Sequence, residues 1–246
     1  MITNSQNQRQ KLKLPVSQYT HLFFDLDHTL WDFETNSKEA LRELFAQFEL
    51  KQRGIASFEQ FHTVYLTVNA QYWAKFHQGI INKEQLRVGR FYESLRLSGL
   101  KDYELAEKMG TAYLTVSPYK TTLLEGATDV LGYLATKYEL FIITNGFAEV
   151  QHIKIKESGL SPYFKDIFIS EQVGHQKPNK EIFIHALEAA KVAASKALMI
   201  GDNMQTDILG AKAVAIDQVF FNPNKIRASY KATYEIASLL ELKKIL

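Results

Sequence analysis

His21-Leu22-Phe23-Phe24-Asp25-Leu26-Asp27-His28-Thr29-Leu30 decides the fold of this chain. Its apolar residues, Leu22–Leu26, read as a buried strand that runs straight into two carboxylates and a threonine. Residues i and i+2 of a strand share a side. Asp25 and Asp27 are therefore expected to project together from the strand's end, with His28 turned away. Two adjacent carboxylates repel and cost desolvation unless a cation or a shared proton offsets them. Open parallel sheets carry their chemistry at the carboxyl ends of strands. The stretch thus reads as a paired-carboxylate cation site at a strand tip. The plainer alternative is a strand ending in a polar turn, its aspartates capping the next stretch of chain.

Outward from this point, four more apolar runs look like buried parallel strands: Leu140–Thr144, Ile167–Ser170, Ala197–Gly201 and Gln218–Phe221. Helical patterns at Ala148–Ser158, Lys180–Ala190 and Thr206–Ala213 separate them. This alternation predicts an α/β fold, a doubly wound parallel sheet with right-handed crossovers. Between the first two strands the pattern changes. Residues 32–119 show helical periodicity without a strong strand, at Lys38–Phe48, Phe58–His77, Lys83–Leu97 and Tyr103–Thr115, punctuated by Gly54, Gly79, Gly99 and Gly110. A crossover needs one helix, so this stretch predicts an inserted helical domain. Residues 1–31 and 120–246 then form the core. Ser117-Pro118-Tyr119 marks the exit, because proline disfavours helix before it.

Each further strand tip carries polar groups. Phe141-Ile142-Ile143 ends in Thr144-Asn145-Gly146, just before a helix, which suits an anion held by backbone N–H groups; a simple turn accounts for the same residues. After the third strand, Pro178 reads as the first residue of a helix. Lys177 would then sit just outside a helix N-terminus, where a cation is disfavoured unless a carboxylate or phosphate offsets it. Lys180 is an alternative cation, more simply a solvated one. The fourth strand ends in Gly201-Asp202, with Asp207 in the first turn of the next helix; for Asp202 the plain role is an N-cap. Four unrelated explanations at four tips are a less economical account than one shared site.

The order and context of these residues resemble the four motifs of the haloacid dehalogenase-like (HAD) hydrolase superfamily: Asp25-x-Asp27-x-Thr29, then Thr144, then Lys177 in Gly-x-x-Lys-Pro, then Gly201-Asp202-x-x-x-x-Asp207. The insert resembles its helical C1-type cap, over a Rossmann-like core. The resemblance implies that Asp25 attacks phosphorus to form an aspartyl-phosphate, and that Asp27 is the acid and base. It implies Mg²⁺ held by Asp25, the Asp27 backbone carbonyl and Asp202, a ligand set that suits this ion. Thr144, the Asn145 backbone and Lys177 would bind the phosphoryl oxygens. Asp207 would orient Lys177 or a metal-bound water. Members that attack carbon lack an acid two residues after the nucleophile, so Asp27 argues for phosphoryl transfer.

Three stretches, Ile143-Thr144-Asn145-Gly146-Phe147, Ser170-Glu171-Gln172-Val173-Gly174 and Lys177-Pro178-Asn179-Lys180-Glu181-Ile182-Phe183, resemble the YjjG branch, which are pyrimidine-nucleotide 5′-nucleotidases. Asn69, Trp73 and Arg90 in the insert follow a similar spacing. Trp73 would stack on a base and Arg90 would contact a phosphate or hydroxyl; as plain structure, Trp73 is core and Arg90 an ion-pair residue. The resemblance implies a phosphorylated small molecule, such as a nucleoside monophosphate, as substrate. Competing readings are a phosphatase of small sugar or acid phosphates, a phosphomutase, and a non-catalytic HAD-like binding protein. The last would have lost a nucleophile, metal ligand or lysine, and all are present.

Bulk properties narrow the field. The 246 residues are 46% hydrophobic and 23% charged, ordinary for a globular chain. A net charge of +2 gives no field favouring nucleic acid or anionic membrane. The absence of cysteine excludes disulfides and thiolate chemistry and fits a cytoplasmic protein. No apolar run approaches the roughly 20 residues that span a bilayer. Met1–Leu14 is polar and reads as a loose extension rather than a secretory signal. The seven histidines show no metal-ligand spacing, and no G-x-S-x-G elbow is present. Oligomeric state is not legible.

Overall fold

The computed structural model describes residues 19–246, so Met1–Leu14 lies outside the described residues. The strands are β1 (His21–Phe24), β2 (Glu139–Thr144), β3 (Asp166–Ile169), β4 (Ala197–Gly201), β5 (Asp217–Phe221) and β6 (Tyr234–Ile236). They pair in the order β3-β2-β1-β4-β5-β6, parallel throughout. Strand side chains alternate between two cores. Leu22, Phe24, Leu140, Ile142, Leu198 and Ile200 join one, and Phe23, Phe141, Ile143 and Met199 join the other. Burial on both faces is why these strands read as unbroken apolar runs. β6 gave no such signal: it is a three-residue edge strand with an exposed Glu235 at its centre. Strand order reverses at β1, and the crevice outside the carboxyl ends of strands at such a reversal is where open sheets bind ligands.

Four helices fill the insert: α1 (Phe33–Gln47), α2 (Phe58–His77), α3 (Lys83–Leu97) and α4 (Tyr103–Val116). Each opens on a side-chain cap, Asp32, Ser57, Asn82 and Asp102, which accepts a backbone N–H of the first turn. The Asp32 cap explains why α1 begins five residues before the periodicity suggests. Leu41, Leu44, Phe61, Tyr65, Phe91, Leu95, Met109 and Tyr113 pack into a core separate from those of the sheet. Gly110 does not end a helix. It lies inside α4, where an added Cβ would come 3.0 Å from the Arg87 carbonyl oxygen, so it permits close α3–α4 packing.

The two chain crossings between insert and sheet run side by side. The Asp32 N–H donates to the Thr122 carbonyl at 3.0 Å, and the Asn36 side chain bonds both the C=O and N–H of Thr122 at 2.7 and 3.0 Å. The remaining helices are α5 (Ala127–Leu134), α6 (Ala148–Glu157), α7 (Ser170–Val173), α8 (Lys180–Ala189), α9 (Leu209–Lys212) and α10 (Leu242–Ile245). Where the sequence suggests one helix from Thr206, a single π-helical turn, Met204–Ile208, precedes α9. Among the described residues no helix is long and apolar enough to cross a membrane.

Candidate active site

β1 ends at Phe24, earlier than its apolar pattern suggests. The Asp25 N–H still bonds the Ile200 carbonyl of β4 at 2.9 Å, and the chain then leaves the sheet. The Leu26 carbonyl accepts from the N–H groups of Leu30 and Trp31, both at 2.9 Å, closing a tight turn. His28 sits in this turn with φ of 66°. Strand alternation therefore fails beyond Asp25, with two consequences. Asp25 and Asp27 do not share one set of partners. His28, expected to face away, instead lines the same cavity as both aspartates.

Asp25 faces Lys177 and Asp202. Its Oδ1 is 2.6 Å from Lys177 Nζ, and Thr29 Oγ1 lies 3.3 Å from both Asp25 Oδ2 and Asp202 Oδ1. Lys177 is 2% exposed, and its three ammonium protons have three acceptors: Asp25, Asp207 Oδ1 at 2.7 Å and the Ile143 carbonyl at 2.8 Å. The expected helix start at Pro178 is wrong. α8 begins at Lys180 under an Asn179 cap, so carboxylates rather than a helix terminus set the surroundings of Lys177. Asn145 clamps the Lys177 backbone, accepting its N–H at 2.8 Å and donating to its C=O at 2.9 Å. Lys180 is exposed and, among the described residues, pairs with Glu181 alone. Asp202 is not a helix cap; Asn203 caps the π turn.

Thr144 Oγ1 accepts from the Gly146 N–H at 3.1 Å and from Gln151 Nε2 at 2.9 Å. With both lone pairs engaged, its own proton is left to donate into the cavity. Asp207 is buried, its Oδ2 accepting the Asn203 N–H at 3.0 Å. Oxygens of Asp25, Asp202 and Asp207 lie within 4.8 Å of one another. Burial, opposed by Lys177 and reinforced by Asp207, pushes Asp25 up to about 7. Burial followed by Asp25 and Asp207 pushes Asp202 up to about 8. Burial works against the Lys177 charge, but Asp207 and Asp25 outweigh it and raise its pKa. When all three are ionised, three carboxylates against one ammonium leave a negative excess. A divalent cation suits that donor set, and hard oxygen ligands suit Mg²⁺.

Asp27 has different partners, and sequence reasoning missed them. Its Oδ1 is 2.5 Å from Lys154 Nζ and its Oδ2 accepts from Gln151 Nε2 at 2.8 Å. Burial would raise its pKa, but Lys154 and Gln151 outweigh burial and hold it below the usual carboxylate value. Both donors lie on α6, a segment that the sequence marks only as a helical pattern between two strands. The available signal was position: a Gln and a Lys three residues apart share a helix face, and this helix starts immediately after a strand tip.

The cavity over these groups measures about 570 Å³. Leu66, Asn69, Ala70, Trp73, Ala74 and His77 form its lid, one face of α2 at helical spacing. Trp73 and Asn69 are thus brought to the cavity; Arg90 is not. Arg90 is 4% exposed, donates to Asn69 Oδ1 at 2.9 Å, and lines a smaller adjoining cavity with Trp73, Phe147 and Lys154. The Trp73 ring stacks on Phe147 of the core, centroids 5.7 Å apart. Lys83, at the start of α3, bridges to Glu149 and Glu171 of the core at 2.7 and 2.8 Å.

The sequence model for haloacid dehalogenase-like hydrolases matches residues 19–215. The pyrimidine 5′-nucleotidase PynA of Streptococcus pneumoniae is 34% identical, over 91% of this chain and 93% of that protein. The pyrimidine 5′-nucleotidase YjjG of Escherichia coli is 32% identical, over 92% and 96%. The crystal structure of the HAD-hydrolase YfnB from Bacillus subtilis, bound to magnesium and revealing interdomain movement, superposes with a TM-score of 0.83 at 32% identity, over 93% of this chain and 98% of that one.

Proposed function

This chain belongs to the haloacid dehalogenase-like hydrolases, and from that premise we propose that it is a Mg²⁺-dependent phosphoric monoester hydrolase acting on nucleoside monophosphates. The observation that carries the proposal is the cluster of Asp25, Asp202 and Asp207 at the reversal of the sheet, with the buried Lys177 paired to Asp25 and Asp207. Support for nucleotides comes from the two nucleotidases it resembles along nearly their whole length. Residues 32–119 act as the cap, and the sheet-bearing remainder as the core. The protein works in the cytoplasm, as its cysteine-free composition suggests.

Asp25, the Asp27 backbone carbonyl and Asp202 hold the metal; Asp207, whose oxygens are engaged by Lys177 and a backbone N–H, anchors the lysine. When bound, Mg²⁺ supplies positive charge that offsets the repulsion between carboxylate and phosphate. An Asp25 oxygen forms a bond to phosphorus as the bond to the leaving oxygen breaks. The Thr144 hydroxyl, the Asn145 backbone N–H and the Lys177 ammonium hold the phosphoryl oxygens. A phosphate dianion beside Asp27 favours its protonated form, and that proton goes to the leaving alkoxide. Asp27 then takes a proton from water as water attacks the phosphorus of the aspartyl-phosphate, which releases phosphate and restores Asp25.

The test is a panel of phosphorylated metabolites with and without Mg²⁺, including pyrimidine and purine monophosphates and sugar phosphates. Metal-dependent release of phosphate with the highest kcat/KM on nucleoside monophosphates is expected. A wild-type preference for sugar phosphates would remove the nucleotide assignment, and inactivity across the panel would remove the hydrolase mechanism.

A further inference from the structure

Asp27 is gripped by one helix face. Lys154 Nζ reaches its Oδ1 at 2.5 Å and Gln151 Nε2 reaches its Oδ2 at 2.8 Å. Neither donor is a loose surface group. The Lys154 side chain is 5% exposed, and its ammonium lies 3.8 Å from the centroid of the Trp31 ring. Trp31 is itself fixed, its Nε1–H donating to the Lys120 carbonyl at 2.9 Å. Among the described residues, Asp27 is the one carboxylate paired with Lys154. Gln151 is fully buried, and its Nε2 donates to Thr144 as well as to Asp27. Room for it exists because residue 146 is glycine: an added Cβ would fall 1.7 Å from Gln151 Nε2.

A carboxylate oxygen has two lone-pair sites. The grip takes one on each Asp27 oxygen and leaves one on each. A carboxylate fixed on both oxygens cannot swing, so its remaining lone pairs point where the grip directs them. Asp27 lines the main cavity, so that direction bears on where a proton can be delivered. The shared Gln151 donor also ties Asp27 to Thr144, setting the distance between the acid and the phosphoryl-binding hydroxyl.

We propose that Lys154 and Gln151 are positioning residues that aim the Asp27 carboxyl at the leaving-group oxygen. The proposal rests on the acid–base role of Asp27 proposed for this site. It makes a demand that mere structural support does not. Aim matters when the leaving group needs a proton and matters little when the leaving group departs readily as an anion.

The experiment compares kcat/KM, which reports the steps up to aspartyl-phosphate formation, on phenyl phosphate and p-nitrophenyl phosphate. These esters are nearly the same size and differ in leaving-group basicity. Lys154→Met keeps an apolar stem over Trp31 and removes the donor. It should lose at least about ten-fold on phenyl phosphate, the low side of what general acid catalysis supplies, and much less on p-nitrophenyl phosphate. Lys154→Arg should restore most of the loss on phenyl phosphate. Gln151→Met should show the same leaving-group dependence and serves if Lys154→Met does not fold. Equal losses on the two esters in folded variants, or no loss on either, would overturn the proposal. Asp27→Asn separates the acid–base role from the positioning role. If it shows no leaving-group dependence, the acid–base role fails first and the positioning role falls with it.

Discussion

Replacing Lys177 with methionine keeps most of the side-chain volume and removes the ammonium that two buried carboxylates and a backbone carbonyl share. Contacts to Asp25, Asp207 and the Ile143 carbonyl, at 2.6, 2.7 and 2.8 Å, are lost together. Breaking a buried pair costs about 3–5 kcal/mol when the remaining charge stays ionised. The folded protein has a second route, protonation of a carboxyl. Holding one aspartic acid protonated costs about 1.4 kcal/mol for each pH unit above its ordinary value of about 3.9. That is about 2 kcal/mol near pH 5.5 and about 5.5 kcal/mol near pH 8. The smaller penalty applies at each pH, so Lys177→Met should lose about 2 kcal/mol in mild acid and about 3–5 kcal/mol at about pH 8. The sign comes from linkage. A carboxyl whose folded pKa is raised binds protons more tightly when folded, so stability falls as pH rises from its unfolded value through the raised one. Asp25 and Asp202 already stand at about 7 and about 8 in the native chain. Lys177 has a raised pKa, so its stabilisation is intact across this window and is lost only in strong alkali. Urea unfolding of both proteins at the two pH values, with chelator present, measures the difference. A loss that does not grow with pH, or one below about 1 kcal/mol at the higher pH, would refute the reasoning.

Removing divalent cations should abolish turnover without unfolding the chain, and Mg²⁺ should raise the melting temperature more at about pH 8 than at about pH 6, because protons compete for Asp25 and Asp202; equal shifts would count against this site. Calcium should inhibit, since its looser coordination allows the Asp25 carboxylate to be drawn out of line for attack, which steady-state rates in each ion would reveal. Trp73→Ala should reduce kcat/KM on a pyrimidine monophosphate by the equivalent of about 1–3 kcal/mol, the scale of base–aromatic stacking, and barely change p-nitrophenyl phosphate; equal losses would show that its packing on Phe147 is the whole role. Lys83→Ala removes a bridge whose partners are about a third exposed or more. It should cost less than about 1 kcal/mol of stability yet enlarge the radius of gyration in X-ray scattering by freeing the cap; an unchanged radius would argue that the remaining contacts, the Trp73 and Phe76 rings on Phe147 among them, hold the two parts together.

The sheet was legible because strands buried on both faces leave unbroken apolar runs, and the residues at their tips stand out against them. Asp25, Thr144 and Asp202 each end or follow such a run. Lys177 was singled out for a local reason that the structure overturns: no helix begins at Pro178, and the lysine is set by Asp25, Asp207 and the Asn145 clamp. What stayed hidden depends on contacts between distant segments. Gln151 and Lys154 lie in a polar helix and become meaningful only when the Asp27 turn docks on them. His28 was misplaced because a left-handed residue interrupts the strand alternation. Arg90 and Asn69, 21 positions apart, meet only when α2 and α3 pack. α5 and β6 are short and gave no periodic signal long enough to read.

The central claim is that Asp25 carries the phosphoryl group during turnover. Acid-quenching the enzyme with saturating substrate and Mg²⁺, then reducing with borohydride, converts an acyl-phosphorylated aspartate to homoserine, which peptide mass spectrometry can locate. The account predicts homoserine at position 25, dependent on substrate and metal and absent in Asp25→Asn. Modification at another residue, or an Asp25→Asn protein that keeps near-native Mg²⁺-dependent turnover, would contradict it.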